Sequence, residues 1–347
     1  ALTCAAVTIL CAVICFFLLR KESKEKTECF PVDRISLIYW EELLFFLAFL
    51  MWTYLAGFRP AAYGTEKFMD YGFMEAMMRS TTLPARDLWY SEGHINYYYG
   101  GQYFAVFLTK LSHTKVELTY NLMRTFVAGL AFAMPFSLVY QMMSDRMKGL
   151  QKSEKVIKGL PFAAGFTAGT AVSIAGNMHY VIYAQIIPLI EKLTGKEVSS
   201  YWFPDATRYI GYNPYREEDR TIHEFPCYSF VLGDLHAHVV NIMFVLLVIA
   251  LLYVWLRGVR KKTVPVETSM KDGKFWKEQL LMPHLLVISV LLGMFQWTNF
   301  WDFVIYYVVT LGTVLFANII RFQGKIKKID HIMMNNPVDH VADSAGT

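Results

Sequence analysis

Apolar runs of about twenty residues alternate with polar segments along this 347-residue chain. That length carries an α-helix across the hydrocarbon core of a bilayer. The runs fall at 2–19, 37–57, 120–143, 160–183, 238–256, 280–297 and 303–321. The pattern predicts an all-α fold, a polytopic membrane helix bundle of about seven spans. Basic residues collect in alternate gaps: Arg20, Lys21, Lys24, Lys26 and Arg34 in the first, Arg146, Lys148, Lys152, Lys155 and Lys158 in the third. Arg257, Arg260, Lys261 and Lys262 occupy the fifth, and Lys325, Lys327 and Lys328 follow the last run. Cytoplasmic loops carry the excess of Lys and Arg, so these gaps face the cytoplasm. Segments 58–119 and 184–237 then become two large external loops with room for membrane-surface helices. The reading divides the chain into an N-terminal span and cytoplasmic linker (1–36), a polytopic membrane domain (37–321) and a cytoplasmic polar tail (322–347). The chain opens at Ala1 inside its first apolar run, with no basic stretch before it. That run therefore reads as a span of a fragment rather than a signal peptide, and the tail reads as cut from a longer continuation.

Composition agrees. Hydrophobic residues make up 55% of the chain, charged residues 18%, and mean hydropathy is +0.31, against roughly a quarter charged in soluble domains. The net charge of +4 follows the loop bias and argues for no nucleic-acid partner. Of five cysteines, Cys4, Cys11 and Cys15 fall in the first run, Cys29 in the first basic gap, and Cys227 alone in an external loop. No disulfide framework follows from that distribution. Motifs of phosphate-binding loops, dinucleotide folds, nucleophile elbows and zinc proteases are absent. The expected location is the cell (plasma) membrane, as an integral protein with its active face outside.

Candidate chemistry concentrates in the two external loops. The segment Arg59–Tyr103 holds Glu66, Asp70, Glu75, Asp87, Glu92 and His94, groups too costly for lipid and hence water-facing or in a polar cavity. Glu66 and Asp70 lie i, i+4 in a helix-forming stretch, which stacks two carboxylates on one face. They read as a catalytic pair or as a solvated face balanced by Lys67 and Arg79. Asn96 and Tyr97, Tyr98 and Tyr99, followed by Gly100 and Gly101, suit either an interfacial aromatic belt or a wall that stacks on sugar rings. In the second loop Glu224 precedes Pro226, and Asp234, His236 and His238 alternate. An extended backbone would point those three to one side, a set suited to a divalent metal or to a hydrogen-bonded approach to the next span. Magnesium or manganese is expected ahead of zinc. Arg59 and Arg208 are external basic candidates for a phosphate. A third polar cluster, Gln296–Asp302, separates the last two runs.

The stretches GTEKFMDYGFM, DLWYSEGHINYYYGGQY and EFPCYSFVLGDLHAHV, in that order, resemble the YYY membrane proteins of archaea and Chloroflexi-type bacteria, a family of unknown function. The resemblance covers roughly residues 40 to 302. Those proteins in turn look like remote members of the type C glycosyltransferases, polytopic enzymes that move a sugar from a lipid-phosphate donor to an acceptor. The resemblance implies an acidic pair in the first external loop, at Glu66 and Asp70, acting as general base or holding a divalent metal. Three residues separate the pair here, whereas many such enzymes use adjacent or near-adjacent acids. The expected function is a glycosyltransferase using a polyprenyl-phosphate-linked sugar and a glycan, lipid or protein acceptor, in contact with membrane lipids. Asp70 or Glu66 is the base, Asp234, His236 and His238 lie near the phosphate, and Tyr97–Tyr99 line the sugar or lipid path. The alternatives are a transporter or lipid-handling protein without bond chemistry, and a membrane assembly protein. If the transferase reading holds, Glu66 and Asp70 must border the same site as His236, more than a hundred residues away.

Overall fold

The computed structural model describes residues 32–335 except 65, 149–152, 209, 211–220, 262–270 and 272, together with positions 2, 5, 6, 8–10 and 13. Most of the run 2–19, Cys4, Cys11, Cys15, Cys29 and the basic stretch before residue 30 lie outside the described residues, as does the tail from 336. Among the described residues the structure is helical, and its one extended pairing is an isolated bridge between Arg86 and His94.

The chain divides into two compact units, Ala1–Leu246 and Leu247–Thr347, with the boundary inside the helix Ala237–Lys261. Helices Val32–Ala56, Val116–Met147 and Glu154–Ser173 form the framework of the first unit. Gly165 and Gly169, four residues apart, let the Glu154–Ser173 helix lie directly on its neighbour. A Cβ at either glycine would stand 2.7 Å from the carbonyl oxygen of Phe136 or Phe132. Small residues at this spacing allow backbone approach where helices have no hydrophobic drive to associate in lipid. A polar relay fastens the three helices: Trp52 Nε1 donates to Ser173 Oγ (3.0 Å), which donates to the Ala128 carbonyl (2.8 Å). Two shorter helices, Lys67–Arg79 and Gly100–Ser112, follow the first span and pack on each other and on Val116–Met147. Their buried residues, including Phe73, Met74, Met77, Ala105 and Val106, join Tyr120, Val127 and Val240 in one core.

Four described helices are long and apolar enough to cross a membrane: Ile35–Ala56, Val116–Met147, Ala237–Arg260 and Phe300–Gln323. A fifth span results if Gly273–Leu280 and Pro283–Thr298, bent by 69° at their junction, act as one. The protein is a helical membrane bundle, with four or five of the expected seven spans visible. The expected span 160–183 is helical only as far as Ser173. There Ala175, Gly176 and Asn177 leave the helix, and the Asn177 side chain reaches the Ala206 carbonyl at 2.6 Å. The apolar sequence resumes as the short helix His179–Val181, a π-helical turn Ile182–Ile186 and the helix Ile187–Leu193.

In the second unit, Gln279 and Asn318 exchange side-chain hydrogen bonds at 3.1 Å each while buried, and Arg321 Nη1 donates to Asn318 Oδ1 at 3.0 Å. In the polar cluster between its last two helices, Asn299 Nδ2 donates to Asp302 Oδ2 at 2.9 Å.

Candidate functional site

The sequence Gly233-Asp234-Leu235-His236 forms the turn between helix Pro226–Leu232 and helix Ala237–Lys261. Four side chains from three other helices grip its backbone. Asp70 Oδ2 accepts the Leu235 amide at 3.1 Å, and Gln102 Nε2 donates to the Leu235 carbonyl at 2.9 Å. Gln102 Nε2 also donates to Asp70 Oδ1 at 2.9 Å. Tyr120 Oη and Arg124 Nη1 both donate to the Gly233 carbonyl, at 3.4 and 3.3 Å. Arg124 Nη2 reaches the carbonyls of Ala56 and Arg59 at 3.3 and 3.2 Å, placing a cation on the carbonyl end of the first span, where the helix dipole favours it. Gly233 closes the preceding helix in the left-handed region, at φ +78°. A side chain there would collide with the Arg124 guanidinium.

This clasp separates the two acidic residues of the expected pair. Both occur on or at the predicted helix, but Asp70 has no solvent exposure whereas the Glu66 side chain is 58% exposed. Burial raises the Asp70 carboxyl to about 6, opposed by the charge of His236 and by the hydrogen bonds from Gln102 and Leu235. Its folded form thus binds its proton more tightly than the unfolded chain does. The stability it lends is whole only below the unfolded value of 3.8 and is lost as pH rises from there through about 6. A carboxylate sealed in this way cannot meet a substrate hydroxyl, which runs against the expectation of Asp70 as the direct base. Glu66 is the accessible member. It stands at the amino end of the helix Lys67–Arg79, and its Oε2 lies 3.0 Å from His236 Nε2.

His236 begins a surface row of ionisable groups. Its ring centroid is 5.7 Å from that of His238, and His238 Nε2 lies 3.1 Å from Glu224 Oε2. Ser229 Oγ donates to the same carboxylate oxygen at 3.0 Å. Burial alone would raise the Glu224 carboxyl, but the hydrogen bonds and charges of His238, Ser229 and His236 hold it below the ordinary range. Glu224, His236 and His238 present ligand atoms that all lie within 4.8 Å of one another.

Asp234, expected beside the two histidines, turns inward instead. The alternation that would align the three residues requires extended backbone through 238, and the helix begins at Ala237. Asp234 is buried on the side of Lys67 and Arg124, where its charge partly offsets theirs. Lys67 is itself buried, and burial together with the nearby cations Arg124 and Arg59 lowers its affinity for a proton, against the pull of Asp234.

Of Tyr97, Tyr98 and Tyr99, Tyr97 is the one that feels the charges of Glu66 and Asp70. Burial, then the charges of Glu66 and Asp70, push its phenol up, and its ring leans on Phe73 and Tyr98. Tyr98 is half-buried beside it, Tyr99 precedes the first residue of the helix Gly100–Ser112, and Asn96 is exposed. Arg59 is exposed, with its carbonyl held by Arg124. Arg208 is engaged within its own loop, donating to the Pro204 carbonyl at 2.8 Å and lying 5.1 Å above the Trp202 ring. Gln102, Arg124 and Ser229 carry no role in the sequence reading, yet each hydrogen-bonds within the site, and Lys67, read there only as a counter-ion, is buried beside Asp234. For Arg124 the signal was available, since an ionisable residue within a span marks a structural or functional partner.

A family model described as uncharacterized membrane protein, DUF2298, matches residues 1–338. No curated protein and no solved structure matches the chain.

Proposed function

The chain belongs to the uncharacterized membrane protein family DUF2298, and from that premise we propose that it is a membrane glycosyltransferase acting on a polyprenyl-phosphate-linked sugar at the external face. The observation that carries this reading is the contact between Glu66 and His236 at 3.0 Å. An exposed carboxylate just beyond one span and an imidazole at the start of another meet across the whole intervening sequence, where a lipid-borne substrate would arrive. The three sequence stretches resemble the YYY membrane proteins, and the remote likeness of those proteins to type C glycosyltransferases suggests the reaction class.

In the proposed step, Glu66 removes the proton of an acceptor hydroxyl, as a base within hydrogen-bond reach does. The acceptor oxygen bonds to the anomeric carbon, and the bond from that carbon to the phosphate oxygen breaks, its electrons leaving with the phosphate. His236 orients the Glu66 carboxylate, and Asp70 and Gln102 hold His236 in place through the Leu235 backbone. Arg59 faces the departing phosphate. Its proximity to Lys67 and Arg124 leaves three cations near one another against Asp234, an environment that an added anion would relieve. Tyr97 flanks the sugar. An apolar cavity of about 290 Å³, lined by Phe49, Ala105, Leu108, Leu122, Met123 and Phe126, offers a seat for part of an isoprenoid chain.

The cavity also suits a lipid-handling protein without bond chemistry, and one experiment separates the two. Protein reconstituted in liposomes is supplied with polyprenyl-phosphate-linked hexose, labelled in the sugar, and with a mixture of lipid and glycan acceptors. The transferase reading predicts label on an acceptor and free polyprenyl phosphate. Label that remains on the donor while the donor changes leaflet would establish the lipid-handling reading instead.

A further inference from the structure

We propose that Glu224, His236 and His238 bind one zinc ion, with Glu66 and Ser229 orienting the ligands. Glu224 comes from the segment before helix Pro226–Leu232, while His236 and His238 come from the start of the next helix. The Gly233 turn reverses the chain between them and brings their ligand atoms within 4.8 Å. Zinc bonds of about 2.0–2.2 Å to imidazole nitrogen and carboxylate oxygen require only a small closing of that separation.

The donor set chooses the metal. Two imidazoles and one carboxylate suit zinc among the available divalent ions, whereas magnesium and manganese are held mainly by oxygen. The order expected from the sequence, magnesium or manganese ahead of zinc, is thereby reversed, although the expected set of Asp234, His236 and His238 had the same donor types. The acidic pair implied by the family resemblance does not fit a metal. Both Asp70 oxygens already accept hydrogen bonds, from Gln102 and from the Leu235 amide, and Glu66 is turned to His236. At the proposed site the charges balance, since Glu224 and Glu66 together match a divalent cation beside two neutral rings.

The surroundings are those of a metal centre rather than of a solvated ion pair. Ser229 Oγ fixes the Glu224 carboxylate at 3.0 Å. Glu66 Oε2 stands 3.0 Å from His236 Nε2, close enough that a small turn of the ring makes the carboxylate–histidine hydrogen bond that orients an imidazole ligand and raises its basicity. The ligands are partly open to solvent, with side-chain exposures of 16% for His236, 22% for Glu224 and 48% for His238. Three protein ligands with an open fourth position are the pattern of catalytic rather than structural zinc.

The test reads metal directly, without turnover, so it stands or falls apart from the transferase reading. The purified full chain in detergent is stripped with a chelator and dialysed against zinc, manganese or magnesium chloride, and bound metal is counted by mass spectrometry. Cobalt substitution supplies a visible spectrum. The expected result is one zinc per chain, tetrahedral cobalt bands, and a zinc-dependent rise in Tm. His238→Asn and Glu224→Gln should each abolish the stoichiometric zinc and the Tm rise. Ser229→Ala should weaken binding by about 10-fold, in the range typical of partners that orient metal ligands. Glu92→Gln, exposed and outside the cluster, should bind as the wild type does. If the His238 variant does not fold, the Glu224 variant decides alone. Wild-type chain with less than a tenth of an equivalent of zinc, or zinc retained in full by a folded ligand variant, would overturn the proposal.

Discussion

Glu66→Gln is expected to slow sugar transfer by about 10²–10⁴-fold, the usual contribution of a positioned general base, with folded yield and Tm unchanged. The glutamine keeps the volume and an oxygen near His236 but takes no proton from the acceptor. Stability should hold because the Glu66 side chain is 58% exposed and makes no capping hydrogen bond at the helix it precedes. Asp70→Asn separates the two roles. An asparagine can accept from only one side of the clasp, so its NH₂ group would face either Gln102 Nε2 or the Leu235 amide, a donor against a donor. Leaving a buried polar group unsatisfied costs about 1–3 kcal/mol. Asp70→Asn should therefore lower Tm first and reduce activity through loss of the site's geometry. Thermal unfolding and initial rates on the same preparations check both. A Glu66→Gln protein with wild-type rate would remove Glu66 from the chemistry.

Gly233→Ala is expected to destabilise the first unit by at least about 3 kcal/mol. The residue sits at φ +78°, where an L side chain adds roughly 1–2 kcal/mol. The added Cβ would also collide with Arg124 Nη1, driving the guanidinium from the carbonyls of Gly233, Ala56 and Arg59. Hydrogen bonds to charged groups contribute about 1.5–3 kcal/mol each, and a buried arginine without them is left uncompensated. Because the Gly233 carbonyl anchors the turn that carries His236, any folded variant should also have lost the Glu66 contact. Thermal unfolding in detergent and gel-filtration profiles read the effect, and a Tm within a degree or two of wild type would contradict it.

These two residues also mark what was legible in the sequence. The i, i+4 spacing of Glu66 and Asp70 announced a helix correctly, because periodicity is a local property. It could not reveal that Gln102 and the Leu235 amide, from distant segments, seal Asp70 and leave Glu66 outside. Gly233 reads locally as a turn residue, but its need for glycine depends on Arg124. The metal-ligand expectation failed at Asp234 for a similar reason. Alternation aligned Asp234, His236 and His238 only on an extended strand, and a helix starting at Ala237 rotates His238 toward Glu224. The pairing of Glu224 with His238 follows from the reversal at Gly233, which no periodicity contains. The span at 160–183 was misjudged where apolar composition concealed a break at Ala175–Asn177, made definite by the Asn177 bond to the Ala206 carbonyl. Apolar length alone gave the four long helices well, since a lipid-crossing helix must satisfy its backbone within itself.

The central claim is that Glu66, the catalytic base, and His236, which positions it, are brought together from distant segments of the first unit and act as one. A double-mutant cycle on sugar transfer tests it most directly, using Glu66→Gln, His236→Asn and the two combined. Residues that act as a unit are strongly non-additive, so the account predicts that the double variant is no slower than the slower single variant. Effects that multiply, or a wild-type rate in either single variant, would contradict it.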